Sequence, residues 1–193
     1  MDAVRTFVAV LIDEDLRNRI TEVQSRIKKL APDVKWVAPE NLHVTLKFLG
    51  NVREDLLPEV FSAVERAVRG CQPFSVSVSG IGAFPNARRA RVVWIGLEDG
   101  EDRLRELAAS IDENLAELNF EREENEFKAH ITIGRVKTSR FLDELAKGIA
   151  EVDARNLGVQ RVSSVAVMKS DLRRDGPIYT PLKVIELSQQ GMN

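Results

Sequence analysis

The sequence predicts an α+β fold of two pseudo-symmetric lobes, each a small sheet with two helices on one face, the uncovered sheet faces meeting across a cleft. Three observations carry this expectation. Strand-like and helix-like patches alternate along the chain. The same order of patches returns after a turn-rich segment at 80–90. The spacing returns with it: Arg5 to His43 is 38 residues (43 − 5) and Arg91 to His130 is 39 (130 − 91), while His43 to Phe74 is 31 (74 − 43) and His130 to Val162 is 32 (162 − 130). Matched order and spacing point to an internal duplication, with halves at about 1–85 and 86–193 of a single domain.

In chain order, "RTFVAVLI" (5–12) is rich in β-branched and aromatic residues and reads as a strand. Leu16, Ile20, Val23, Ile27 and Leu30 recur at helical spacing, with Asp13 ahead of them as an N-cap candidate. "VKWV" (34–37) and "LHVTLKFL" (42–49) are strands. Leu56, Leu57, Val60, Phe61, Val64 and Val68 mark a second helix, and Pro58 is tolerable there only in the first turn. "FSVSVSG" (74–80) alternates at period two. The second half repeats this: a strand at 91–97, a helix through Leu104, Leu107, Ile111, Leu115 and Leu118, a strand in "AHITIGRV" (129–136), and a helix through Phe141, Leu142, Leu145 and Ile149. Strands at 162–169 and 178–187 close it.

The chain has 193 residues, enough to bury a substantial core, and a formal net charge of −2. No apolar run approaches the roughly 20 residues of a membrane span, and the acidic start "MDAVRTFVAVLIDED" reads as a first strand rather than a leader peptide. A single cysteine, Cys71, excludes an internal disulfide and a thiolate metal cluster, so a cytoplasmic protein is expected. Local basic groups, Arg88, Arg89 and Arg91, then Arg173 and Arg174, read as solvated loop charges. A long duplex footprint needs more positive charge than this, so any nucleic-acid partner is an end or a few nucleotides.

The only two histidines, His43 in "NLHVTLKFLG" and His130 in "AHITIGRV", sit in one pattern: apolar, His, apolar, Thr, apolar. In a strand, residues i and i+2 share a face, so His43 goes with Thr45 and His130 with Thr132, while Val44, Leu46, Ile131 and Ile133 take the other. A zinc site needs three or four ligands, and two histidines without a C-x-x-C or H-x-x-x-H context do not call for one; no metal and no other cofactor is expected. A nucleophilic triad lacks a G-x-S-x-G or a supported cysteine. Two imidazoles suit acid–base work: one takes a proton from water while the other protonates a departing alkoxide, and threonine hydroxyls can donate to phosphate oxygens. Phe48 and Arg135 each lie five positions after a histidine, on the opposite face by parity unless the strand ends or bulges first. Lys47 has the right parity for a phosphate neighbour; Tyr179 and Trp36 are weaker candidates.

These paired H-x-T segments, with "RTFVAVLID", the "F-x-V-x-V-x-G-I-G-A-F-P" run at 74–85 and the late "G-P-I-Y", resemble the two-histidine phosphoesterases over nearly the whole chain. Within them the chain is most similar to the RNA 2′,3′-cyclic phosphodiesterases, also called LigT-like or 2′-5′ RNA ligases. The resemblance implies mainly antiparallel sheets with helices on their outer faces and both motifs lining a central cleft. It implies metal-independent opening of a 2′,3′-cyclic phosphate at an RNA end to a 2′-phosphate. It makes His43 the general acid and His130 the base, with Phe48 against the base of the nucleotide and Arg135 on phosphate. The reverse ligation uses the same residues, and a non-catalytic RNA-end-binding module is the remaining alternative. RNA ends or small oligonucleotides are the expected partners, with no membrane, and the chain is expected to be a monomer.

Overall fold

The computed structural model describes residues 2–174 and 176–188. The elements run β1 (Ala3–Leu11), α1 (Glu14–Lys28), β2 (Val34–Trp36), β3 (His43–Arg53), α2 (Leu57–Ala67), β4 (Phe74–Phe84), β5 (Val92–Leu97), α3 (Glu101–Ala116), β6 (His130–Val136), α4 (Leu142–Glu151), β7 (Gly158–Val162), β8 (Ser164–Arg173) and β9 (Gly176–Glu186). The α+β class and the four helices are as expected. The helices arise where apolar side chains recur every three or four residues: α1 buries Leu16, Ile20, Val23 and Ile27, and α3 buries Leu104, Leu107, Ile111 and Leu115. Pro58 falls in the first turn of α2, where its missing N–H costs nothing. Asp13 occupies the N-cap position of α1 in extended conformation, but its side chain makes no cap bond; its backbone N–H donates instead to Gln160 Oε1 at 2.9 Å.

The strands form one antiparallel sheet in the order β7-β4-β5-β6-β3-β1-β8-β9, with β2 paired to β6. The two half-sheets therefore join edge to edge instead of standing apart. They meet where β3 and β6 touch through a single bridge, Val44 opposite Ile131. Each half of the chain also sends strands across. β4, from the first half, pairs with β5 and β7, and β8, from the second, pairs with β1 and β9. Two segments differ from the sequence reading. "GIGAF" (80–84) continues β4 rather than turning, because Gly80 takes φ +83° at a bulge and Gly82 lets the Trp94 ring lie flat on the backbone. The other is β7, a five-residue edge strand opening on a glycine, too short for its alternation to register in the sequence.

All four helices cover one face of the sheet. Their apolar stripes pack on Val8, Val10, Val44, Val93, Ile95, Ile131 and Ile133 in one continuous core. Fully burying each such side chain contributes about 1.5–3 kcal/mol. A second, small cluster, Phe7, Ala9, Ala166 and Met168 with Tyr179 against it, lies on the face away from the helices. No helix among the described residues is long and apolar enough to cross a membrane.

Candidate active site

Strand register decides which side chains reach the helix-free face. β1 carries Phe7, Ala9 and Leu11 there by alternation, and their β3 partners are Phe48, Thr45 and His43. His43 and Thr45 thus share a face, as their spacing predicts. Phe48 joins them because the register slips by one residue at Leu46, between Thr45 and Lys47. β6 does the same: Gly96 faces His130, Trp94 faces Thr132 and Val92 faces Arg135, with a one-residue slip at Ile133. The two bulges stand three residues after their histidines. Each inverts the parity, so Phe48 and Arg135 reach the histidine face, the condition the sequence left open.

The same slip removes Lys47. Its side chain is 5% exposed on the core side, with the ammonium 2.5 Å from Asp112 Oδ1 of α3 and 2.5 Å from the Glu121 carbonyl. The expectation that Lys47 neighbours phosphate is therefore corrected: simple alternation from His43 fails once Leu46 is an extra residue. Trp36 is likewise placed elsewhere, its ring against the Cα of Gly134 on the core side of β6.

Each imidazole is tied down in the same way. His43 Nδ1 lies 2.7 Å from the Asn41 carbonyl and His130 Nδ1 lies 2.7 Å from the Lys128 carbonyl. A carbonyl only accepts, so each Nδ1 carries the proton it donates, and Nε2 is the nitrogen left for chemistry. His43 Nε2 accepts from the Thr45 hydroxyl at 3.0 Å. The antiparallel Val44–Ile131 bridge directs His43 toward the Thr132 end of β6 and Thr45 toward the His130 end. Both H-x-T pairs therefore converge about one point of the sheet.

Aromatic rings back both histidines. Phe7 and Tyr179 flank His43 with ring centroids 4.9 and 5.3 Å away, and Phe84 meets His130 edge-on at 5.1 Å while packing on Trp94 at 5.2 Å. Burial lowers the His43 pKa from 6.5, the Asn41 carbonyl opposes this, and the charges of Arg135 and His130 lower it further. Burial raises the Tyr179 phenol above its usual value, against the pull of Arg135 and Arg5. Arg5 belongs to this face as well, its guanidinium carbon 4.6 Å from the centre of the Phe48 ring. Arg5, Phe7, Phe84 and Trp94 escaped the sequence reading. For the first two a signal existed: in "RTFVA" the residues Arg5, Phe7 and Ala9 alternate onto one face. Which face needed the register.

The arrangement offers two imidazole Nε2 atoms, two hydroxyls, a guanidinium from Arg135 and an exposed aromatic ring on one surface. It suits proton transfer on both sides of an anionic centre.

A family model described as LigT like Phosphoesterase matches twice in tandem, over residues 10–94 and 95–179. The chain is 42% identical over 184 residues to an RNA 2′,3′-cyclic phosphodiesterase of Methanothermobacter thermautotrophicus, covering 95% of this chain and 99% of that one. It is 39% identical over 183 residues to one of Archaeoglobus fulgidus, covering 95% and 100%. Among solved structures, a protein of Thermus thermophilus superposes with a TM-score of 0.81 at 28% identity, covering 96% of this chain and 99% of that chain. E. coli LigT in apo form superposes with a TM-score of 0.78 at 25% identity, covering 98% and 100%.

Proposed function

Since the chain belongs to the LigT-like phosphoesterase family, we propose that it is a phosphodiesterase that opens 2′,3′-cyclic phosphates at RNA ends to 2′-phosphates, with His43 and His130 as the acid–base pair. The observation that carries this reading is the matched tethering of the two rings. Both Nδ1 atoms are held by carbonyls two residues upstream, which leaves both Nε2 atoms for proton transfer, and the rings are near enough for the His130 charge to act on His43.

In the proposed reaction, water attacks phosphorus and His130 Nε2 takes its proton. The P–O3′ bond breaks in line, and the Nε2 proton of His43 passes to O3′, leaving a 3′-hydroxyl and a 2′-phosphomonoester. The Thr45 and Thr132 hydroxyls and the Arg135 guanidinium meet the non-bridging oxygens, where charge develops. Phe48, 49% exposed, offers a stacking surface for the terminal base. An acid must start protonated, and in the empty site His43 prefers the neutral form. The phosphate anion supplies the opposite charge that raises its pKa again. The two imidazoles account for both proton transfers with no metal ion in the scheme.

The test is an oligonucleotide ending in a 2′,3′-cyclic phosphate, incubated with the purified protein in EDTA and resolved by end-group analysis. Conversion to a 2′-phosphate end is expected. An unchanged end, a 3′-phosphate product, or dependence on added metal would overturn the reading. Joining to a 5′-hydroxyl oligonucleotide on the same gel would mark the reverse reaction.

A further inference from the structure

We propose that Arg5 forms a second anion subsite, which holds the phosphate on the 5′ side of the terminal nucleotide and makes the enzyme select RNA ends over isolated cyclic nucleosides. The proposal rests on the hydrolase reading above.

Four observations carry it. Arg5 lies on the histidine face of β1, two residues before Phe7; the slips in the β1–β3 pairing fall on extra residues of β3, Leu46 and Leu49, and the β1–β8 register runs unbroken, so β1 itself keeps its alternation. Its guanidinium covers one face of the Phe48 ring at 4.6 Å. Phe48 is half exposed, so the contact sets a cation within one ring's reach of the surface on which a terminal base would stack. Third, among the described residues Arg5 forms no salt bridge, and its cross-strand partner is the neutral Asn51. A half-buried guanidinium without a carboxylate suits an anion that arrives with the substrate. Fourth, the charges of Arg5 and Arg135 both reach Tyr179, which packs on His43 and Phe7, so the two cations share the histidine face of the sheet. A cyclic phosphate carries one negative charge, and Arg135 with the two imidazoles already faces it. A second phosphate, one nucleotide along, accounts for the second guanidinium.

The experiment compares two small substrates in the same protein samples: a nucleoside 2′,3′-cyclic phosphate with a free 5′-hydroxyl, and the same compound carrying a 5′-phosphate. Wild type is expected to favour the 5′-phosphorylated compound by about tenfold in kcat/KM, the effect of one charge-assisted contact. Arg5→Gln should erase most of that ratio, losing about tenfold on the phosphorylated compound and much less on the other. Arg5→Lys should keep part of it. With an oligonucleotide, the slope of log kcat/KM against log salt should shrink by about 0.7 in Arg5→Gln, the loss of one single-strand phosphate contact. Because the ratio is taken within one sample, partial misfolding of a variant cancels. Equal losses on both compounds would make Arg5 only a support for Phe48 and overturn the proposal, as would an unchanged ratio. Wild type inert on both compounds and on the cyclic-ended oligonucleotide would overturn the underlying hydrolase reading, whereas a wild type active on the oligonucleotide but indifferent to the 5′-phosphate overturns only the Arg5 subsite, which distinguishes the two failures.

Discussion

At the scale of single residues, the protonation of His43 is the most exposed consequence of the site. Burial first, then the charges of Arg135 and His130, hold its pKa below 6.5. Titrating the two imidazoles by NMR should therefore show His43 deprotonating below 6.5 in the free protein. Arg135→Gln removes one repelling charge and should move that value upward, and inorganic phosphate should do the same. An unfolded chain takes up the His43 proton at about 6.5, before the folded one does. The resulting stability is full above that pH and is lost as pH falls from 6.5 through the folded value. A His43 that titrates above 6.5 in the empty protein would contradict the packing described. For catalysis, His43→Ala and His130→Ala should each lower hydrolysis by at least ~10²-fold in a folded protein, the usual loss for a general acid or base. Thr45→Val and Thr132→Val keep the β-branched shape and remove a donor worth about 1.5–3 kcal/mol, or roughly 10- to 100-fold in kcat/KM. Thr→Ser should cost little at either position. Valine and serine variants of equal activity would reduce the threonines to strand formers.

At the scale of elements, the bulges at Leu46 and Ile133 convert a strand pattern into a site, and each is braced from the core by a polar side chain. Gln24 of α1 donates to both the Val37 and Ile133 carbonyls at 2.9 Å. Lys47 ties β3 to Asp112 of α3 and to the Glu121 carbonyl. The two partners of the ion pair differ in exposure, Lys47 at 5% and Asp112 at 17%, so removing them should differ in cost. Asp112→Ala strands a buried ammonium and should cost about 3–5 kcal/mol in urea denaturation. Lys47→Met leaves the less buried carboxylate, still bonded to the Glu123 N–H, and should cost less. Lys47→Met combined with Asp112→Leu should recover most of the loss, since two apolar groups leave no unpaired charge. An Asp112→Ala protein as stable as wild type would show the pair to be incidental. This scale also marks the limit of reading by pattern. The period-two alternation of "HVT" and "HIT" placed both histidines and both threonines, because each triplet ends before its bulge. Beyond it, Lys47 and Phe48 depend on the residue inserted at Leu46, and Arg135 on the one inserted at Ile133. These insertions are set by cross-strand pairing and by Gln24 and Lys47 from the core, none of which local periodicity encodes.

At the scale of the molecule, the sequence showed the repeated order of elements but not how the two copies are built together. Periodicity reports which face of a strand is apolar, and the partner of each edge is a long-range fact. In the structure the halves are interlocked. β4 belongs to residues before 86, yet its partners, β5 and β7, come after. β1 has β3 from its own half on one edge and β8 from the other half on its second. α2 packs on α3, and α1 on α4, so the helical layer crosses the boundary too. A fragment of 1–85 would expose both edges of β4, one edge of β1, and the apolar faces that α3 and α4 cover. A fragment of 86–193 would leave β8 with β9 alone and β5 without β4. Exposed strand edges and uncovered apolar stripes do not make a stable fold. We therefore predict that neither fragment alone unfolds cooperatively, whereas the intact chain unfolds in one transition. Trp36 in the first half and Trp94 in the second provide the probes. Single-tryptophan variants, Trp36→Phe and Trp94→Phe, should give coincident fluorescence midpoints that match far-ultraviolet circular dichroism. Mixing the two fragments should restore structure and hydrolysis together, since β4 and β8 then find their strands. Two separated midpoints, or a fragment 1–85 with its own sharp transition, would mean that the duplicated halves are autonomous and that the exchanged strands only decorate them.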